Sequence, residues 1–259
     1  MAIWQSFDPD TPEIITPAQI VAGRGALPEA LVITFQARTY AAFLRQYDTT
    51  PLTDLHLEET VDSPIYSGMT RQFTYAGRTL AGCLSPVGAP GAVAVMEQAI
   101  ALGVRRFVAF GTCGALVPGL ADGQLIVPSA AYRDEGTSYH YAPAGDYITL
   151  PTAEKTAAIL GELGVPHTVG RVWTTDAFFR ETQANLAKRV AEGCVAVDME
   201  VSALAAVAQF RGVSLHSFLY AADSLSDKGW DPRTLGTLPA EPRARYWQLA
   251  AELAARVCV

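Results

Sequence analysis

Two short stretches combine residue types and spacings that can do chemistry. The first is Val195-Ala-Val-Asp-Met-Glu-Val-Ser-Ala-Leu-Ala-Ala-Val-Ala208, an apolar strand that runs straight into an alanine-rich helix with Glu200 at the junction. Leu204, Val207 and Ala208 follow at helical spacing and are expected to face a core, which puts Glu200 in the first turn at the carboxyl end of the strand. Open α/β sheets keep their ligand crevice at such strand ends. A carboxylate there gains from the helix dipole, is expected to stay ionised, and can accept two hydrogen bonds from a vicinal diol such as that of a ribose. The plainer reading is a dipole-favoured first-turn acid with no ligand. The second stretch is Gly111-Thr-Cys-Gly-Ala115, at the end of the apolar run 104–110. Its glycines suggest a sharp turn whose amides and Thr112 hydroxyl converge on one spot, an anion-binding arrangement.

Other polar positions join these. Arg38 stands just past the first apolar run, where a cation can meet an anion or simply cap the surface. The loop Ser85-Pro-Val-Gly-Ala-Pro-Gly91 feeds a helix start and is either an anion holder or a tight connection. Tyr132-Arg-Asp-Glu-Gly-Thr-Ser-Tyr-His-Tyr141 is expensive to bury and is expected to be a loop that lines a ligand. Thr174-Thr-Asp-Ala-Phe-Phe-Arg-Glu-Thr182 reads as another site loop, in which Phe178 and Phe179 beside Arg180 serve either as core anchors or as stacking partners for a base.

The elements that must position these residues follow from apolar patterning. Short apolar runs predict strands at 30–35, 104–110, 125–128, 167–173 and 213–222, the last delivering Asp223 at its carboxyl end. Residues 72–75 and 79–84, split by Ala76-Gly-Arg78, predict a hairpin. Helices are expected at 39–47, 92–102, 153–163 (stopped by Gly164) and 242–257. Residues 48–70 are polar and turn-rich, an excursion near the site.

At 259 residues, with 50% hydrophobic and 17% charged side chains, the chain is long enough to bury a substantial core and has little material for a disordered tail. Strands alternating with helices indicate an α/β fold. The expected organisation is a surface segment, 1–29, and one domain, 30–259. A net charge of -7 with scattered arginines opposes nucleic-acid binding and favours a small ligand. Cys83, Cys113, Cys194 and Cys258 show no pair spacing, so reduced thiols are expected. No metal is expected either, because His56, His140, His167 and His216 lack ligand spacing. With no basic-then-apolar leader and no apolar run long enough to span a bilayer, the expected residence is cytoplasmic, away from membranes.

Gly111-Thr-Cys-Gly114, Val197-Asp-Met-Glu200 and Ala221-Ala-Asp223-Ser, in that order, resemble the motifs of the nucleoside phosphorylase family, which includes uridine phosphorylase, bacterial-type purine nucleoside phosphorylase and related nucleosidases. The resemblance implies a three-layer α/β fold whose central mixed sheet curls toward a barrel with helices on both sides. It also implies a homo-oligomer, dimer or hexamer, and no cofactor, with inorganic phosphate as co-substrate. By that resemblance Met199 and Glu200 hold the ribose, Gly111, Thr112 and Arg38 bind phosphate, Asp223 protonates a purine nitrogen, and Asp176, Phe178 and Arg180 lie along the base. Glycosidic cleavage builds positive charge on the ribose and negative charge on the base, so an acid raised toward neutrality by burial is suited to the second task. Asp223 follows the apolar Phe218-Leu-Tyr-Ala-Ala222; its plainer role is to cap the next turn.

The chain departs from the pattern at the phosphate. Ala109 stands where the phosphorylases carry an arginine, Thr34-Phe-Gln-Ala-Arg38 keeps only the arginine of Gly-Asp-Pro-x-Arg, and a further family arginine falls near Tyr66, with Arg71 close by. A dianion missing a bidentate arginine loses a contact that one hydroxyl does not replace. The nucleosidases instead place a water-activating glutamate after the first strand, and residues 35–40 contain none. Phosphorolysis of a purine nucleoside is therefore the leading expectation, with hydrolysis and nucleoside binding without turnover as alternatives.

Overall fold

The computed structural model describes residues 2–53, 55 and 69–258. A 3-10 turn and a short helix α1 (Pro17–Ile20) precede β1 (Ala30–Thr34) and α2 (Ala37–Gln46). Then come β2 (Thr50–Pro51), β3 (Thr70–Tyr75), β4 (Arg78–Leu84), α3 (Ala89–Ala101), β5 (Arg106–Ala115), β6 (Leu125–Asp134) and β7 (Tyr147–Thr149). The chain continues through α4 (Ala153–Glu162), β8 (His167–Thr175), α5 (Gln183–Ala191), β9 (Cys194–Asp198), α6 (Val201–Arg211), β10 (Ser214–Ser226), β11 (Gly229–Asp231) and α7 (Ala240–Val257). His56, Tyr66 and most of the turn-rich excursion at 48–70 lie outside the described residues.

The expected three layers and curled mixed sheet are present. β5 pairs in parallel with β1 and with β10, β10 turns antiparallel onto β6, β6 runs parallel to β8 and β8 to β9, and β9 returns antiparallel to the end of β5. Those five strands close a ring, from which β1, β4, β3 and β2 extend as an open wing. The predicted hairpin is β3–β4, turned by Ala76 and Gly77, both at positive φ (46° and 75°), as a two-residue hairpin loop requires. Helices α2 and α7 pack together over the wing and β5, while α3 and α6 pack together on the other side. No helix among the described residues is long and apolar enough to cross a membrane.

The core explains two features of the pattern. α6 buries every residue from Val201 to Ala208, so a helix apolar on all faces lies between sheet and α3, rather than showing the single core face that the spacing of Leu204, Val207 and Ala208 suggested. On the other side, fully buried Trp247 of α7 stacks on Phe43 of α2 with ring centroids 4.1 Å apart and meets Phe110 of β5 edge-on at 5.6 Å. Gly82 in β4 makes that stack possible, because a Cβ there would lie 2.7 Å from the Trp247 ring and 3.0 Å from Phe43.

Three expectations are corrected. The segment 111–115 is not a sharp turn: β5 runs unbroken to Ala115, because β10 pairs with it over its whole length. Asp223 is not past a strand end but inside β10, at the bulge between Ala221 and Asp223 that re-aims it. The polar stretch 132–141 is not all exposed loop: 132–134 prolong β6, Thr137–His140 form a 3-10 turn, and Arg133, Glu135 and Ser138 are buried, while Gly136, Thr137, His140 and Tyr141 line a groove away from the cavity described below. Burial there is tolerated because partners are complete: Arg133 donates to Ser138 Oγ at 2.8 Å and to the carbonyls of Pro143 and Ala142, and Glu135 accepts from Ser138 N–H and Ser202 Oγ, both at 2.9 Å.

The Gly82→Ala protein is expected to lose about 1–3 kcal/mol of stability, since the added methyl overpacks an aromatic stack with no room to retreat; urea unfolding against the parent chain measures it.

Candidate active site

At the carboxyl ends of β1, β5 and β9 the ring opens into a cavity of about 680 Å³. Its floor comes from Thr112, Cys113 and Gly114 of β5, one wall from Val197–Glu200, another from Asp223 and Leu225 of β10 with Trp230 of β11, and its rim from Phe178, Phe179 and Glu181. Gly114 keeps the floor low: a Cβ would lie 2.6 Å from Leu225 Cδ1, 3.0 Å from Val197 Cγ1 and 3.5 Å from Asp223 Oδ1.

Asp198 starts α6. Its Oδ2 accepts from the N–H groups of Glu200 and Val201, each at 2.7 Å, and its Oδ1 from Thr174 Oγ at 2.7 Å, while Thr174 Oγ accepts in turn from Ser202 N–H at 3.1 Å. Glu200 is thereby turned toward the loop 85–91, where Gly88, at a φ of 97° that suits glycine, donates its N–H to Glu200 Oε1 at 2.7 Å. That loop does present an N–H at the start of α3, and the group it holds is the protein's own carboxyl. The Met199 backbone amide also acts on this carboxyl, which lines the cavity and is open to a ligand there. The expectation that the helix dipole keeps Glu200 ionised is corrected: burial, then the neighbouring Asp198 charge, push Glu200 up to about 8, and burial pushes Asp198 up to about 6 despite its three donors. Desolvation of a carboxylate 7% exposed outweighs the partial charges of one helix end.

At the opposite wall Asp223 Oδ2 accepts from Trp230 Nε1 at 2.8 Å, and burial raises its pKa. Glu181 faces the same end. Burial, then the charges of Asp223 and Asp134, push it up to about 7. Phe178 and Phe179 lie against each other at 4.0 Å, 50% and 88% exposed, so they are rim residues and not core anchors.

At the floor, Gln36 takes the central place. Its Nε2 donates to Thr112 Oγ at 3.3 Å, and its Oε1 accepts from Thr34 Oγ at 3.3 Å and Tyr220 OH at 3.4 Å. Gly111 lies beneath it, where a Cβ would be 3.1 Å from Phe35 and 3.2 Å from Gln36 Nε2; it admits Gln36 rather than turning the chain. Behind Gln36 is a second cavity of about 310 Å³ that shares Gln36, Thr112 and Leu235 with the first and is lined by Arg38 and Arg243. Arg38 donates to the Gly236 carbonyl, and buried Arg243 donates to the Leu238 carbonyl at 2.9 Å and Thr39 Oγ at 3.2 Å. The main cavity has the carboxyl groups of Glu181, Asp198, Glu200 and Asp223, and among the described residues that line it there is no Arg, Lys or His.

The structure thus gathers Thr112, Phe178, Met199, Glu200 and Asp223 on one cavity. Arg38 faces the second, Gly111 lies under the floor, and Asp176, whose Oδ2 accepts from Gly136 N–H at 3.2 Å, lines a separate groove beside α1 and α3. Exposed Arg180 is not among the residues that line these cavities. Sequence reasoning passed over Asp198, Glu181, Gln36 and Trp230. The signal for Asp198 was available, an acid at a strand end two residues before a helix; for Trp230 there was none, because β11 lies in a stretch with no apolar period.

Residues 30–258 match the sequence model of the phosphorylase superfamily. Among curated relatives, the chain is 28% identical to a guanosine phosphorylase of Halorubrum lacusprofundi over 143 residues, 54% of this chain and 59% of that protein. It is 28% identical to a uridine phosphorylase of Haemophilus influenzae over 137 residues, 50% of this chain and 54% of that protein. A DeoD-type purine nucleoside phosphorylase of Bacillus cereus is 29% identical over 159 residues, 59% of this chain and 66% of the relative. The chain thus spans little more than half the length of the first two relatives. In fold it is similar to a purine nucleoside phosphorylase from Toxoplasma gondii, with a TM-score of 0.69 at 20% identity over 89% of this chain and 90% of that one.

Glu200→Gln keeps an acceptor for the Gly88 N–H and removes the charge. Because folding raises this group from 4.5 to about 8, the folded state holds a proton that the unfolded chain releases between those values, and stability contributed by the site falls as pH rises through that window. The variant is expected to match the parent below about pH 4.5 and to exceed it by about 1–3 kcal/mol at pH 8 and above; thermal unfolding across pH reads the crossover.

Proposed function

The chain belongs to the phosphorylase superfamily, and from that premise we propose that it cleaves the N-glycosidic bond of a nucleoside, purine by preference, with phosphate as the attacking group. The observation that carries the reading is the union, in one cavity, of a carboxyl oriented by the Gly88 N–H at one wall, Glu200, and a half-buried acid with a raised pKa at the other, Asp223, with aromatic faces at the rim and the Thr112 hydroxyl on the floor. In this reading Glu200 takes the ribose hydroxyls with Met199 beneath the ring, and Phe178 stacks on the base. As the bond from C1′ to the base nitrogen breaks, its electron pair goes to the base, which takes a proton from Asp223. The Asp223 carboxylate left behind keeps the Trp230 N–H donor, and the C1′ cation is captured by a phosphate oxygen. Asp176 and Arg180 belong to the base side only if the 176–182 loop moves, since neither lines the cavity now.

Phosphate has a place that charge can favour. Gln36 and Thr112 separate the carboxyl-lined cavity from the one that holds Arg38 and Arg243, so a dianion on Thr112 and Gln36 lies between guanidinium groups and the ribose. Arg38 is exposed and, among the described residues, holds one carbonyl, so it can turn onto that anion. One observation favours a second reading, hydrolysis: the described lining of the main cavity carries four carboxyl groups and no cation, an environment that repels phosphate and tolerates water. The same reading includes a homo-oligomer, dimer or hexamer, supported by the apolar side chains Ile14 and Ile15, 95% and 72% exposed in the N-terminal segment.

Incubation with purine and pyrimidine nucleosides, with and without phosphate, tests the proposal through the sugar product. Ribose 1-phosphate formed only with phosphate is the expected result. Free ribose at one rate in both buffers supports hydrolysis, and nucleoside binding without either product leaves a binding protein. If turnover is seen, Asp223→Asn is expected to lower kcat about 10²–10⁴-fold with little change in KM, and Arg38→Ala to raise the KM for phosphate while leaving that for nucleoside near the parent value.

A further inference from the structure

We propose that Glu181 reads the base, its carboxylate accepting a hydrogen bond from an exocyclic amine so that an amine-bearing purine is selected over its oxo counterpart. The inference rests on the reading of the cavity as a nucleoside site. Glu181 lines the cavity beside Phe178, Phe179 and Asp223. Its surroundings distinguish it from the ribose wall: the acid charge felt most by Glu181 is that of Asp223, whereas the acid felt most by Glu200 is Asp198.

It is also the one acid of the cavity that, among the described residues, has no protein partner. Asp198 accepts three hydrogen bonds, Glu200 accepts one from Gly88, and Asp223 accepts one from Trp230. A partly buried acceptor without a donor is unfavourable, and a ligand N–H relieves it. The charged groups that face Glu181 are Asp223 on β10 and Asp134 on β6, the latter already taking the Trp173 indole N–H at 2.9 Å; Asp198 and Glu200 lie across the cavity, and neighbouring Arg180 makes no ion pair with it. All four are acids. Their field favours the positive hydrogens of an amine over the negative oxygen of an oxo group.

The preference has a pH signature. Ionised, Glu181 accepts from an amine; protonated, it donates to an oxo oxygen. With this carboxyl pushed up to about 7, the ratio of affinities for the two classes of base changes across neutrality. A glutamine both donates and accepts, so it discriminates between the classes weakly at every pH.

The test is calorimetric binding of adenine and of hypoxanthine, purines that differ at C6 by amine against oxo, to the intact protein at about pH 8 and about pH 5.5. Adenine is expected to bind about tenfold more tightly at the higher pH, with the ratio falling toward one at the lower. Glu181→Gln is expected to hold the ratio near one at both, with a thermal transition no lower than that of the parent chain. Equal affinities for the two bases at the higher pH, or an unchanged ratio in the Glu181→Gln protein, overturn the role of Glu181 and leave the nucleoside reading standing. No binding of either base, nor of adenosine or inosine, overturns both.

Discussion

The site depends on Asp198, a wholly buried carboxylate that fastens three pieces of chain to one another. It receives the Thr174 hydroxyl from β8 and the first N–H groups of α6, and so fixes where β9 ends and the helix begins. From that junction Glu200 can point only toward the Gly88 N–H at the start of α3. Each donor offsets part of the desolvation that pushes Asp198 up to about 6, and Thr174 is held in turn by Ser202. A buried acid with three donors orients; one with none would be a liability. The difference separates Asp198 from Glu181 in the same cavity.

Charge is divided across the floor. Four carboxyl groups lie on the cavity side of Gln36 and Thr112, and Arg38 and Arg243 on the other. Ala109, buried in β5 between Ile33 and Ser217, adds no charge at the strand itself. A cavity of this sign suits a ligand that bears hydroxyls and develops positive charge on its sugar, and it leaves the anion to the boundary. Gln36 is the neutral group at that boundary, with a donor and an acceptor both in use.

On the cavity floor glycine serves close approach rather than turning. Gly111 and Gly114 are strand residues, and each gives its missing Cβ to a neighbour: the first to Phe35 and Gln36, the second to Leu225, Val197 and Asp223. The glycines around Thr112 do mark the site, but through space rather than through a bent backbone. The β-bulge at Ala221–Asp223 does the bending instead, and it brings a carboxyl inward from the middle of a thirteen-residue strand.

The chain order of strands and helices was legible in the sequence because apolar period and glycine or proline stops are local: the β3–β4 hairpin, the stop at Gly164 and the run of β9 into α6 all lie where patterning put them. The same locality let Glu200, Asp223 and Thr112 be picked out, since each sits at the edge of an apolar run. Pairing is not local. That β10 would accompany β5 to its end, turning an expected glycine turn into strand, and that Glu135 would find the Ser202 hydroxyl, depended on residues scores of positions away, whereas Arg133 is satisfied by its own near neighbours Ser138, Ala142 and Pro143. Burial is likewise a property of the assembled fold. An acid at a helix start reads as ionised from sequence, and only the packing of α3, α6 and the 85–91 loop around Glu200 makes desolvation stronger than the dipole. Which side of Gln36 each charge would occupy was decided by the closure of the sheet, because a ring of strands brings together side chains whose separation along the chain carries no signal.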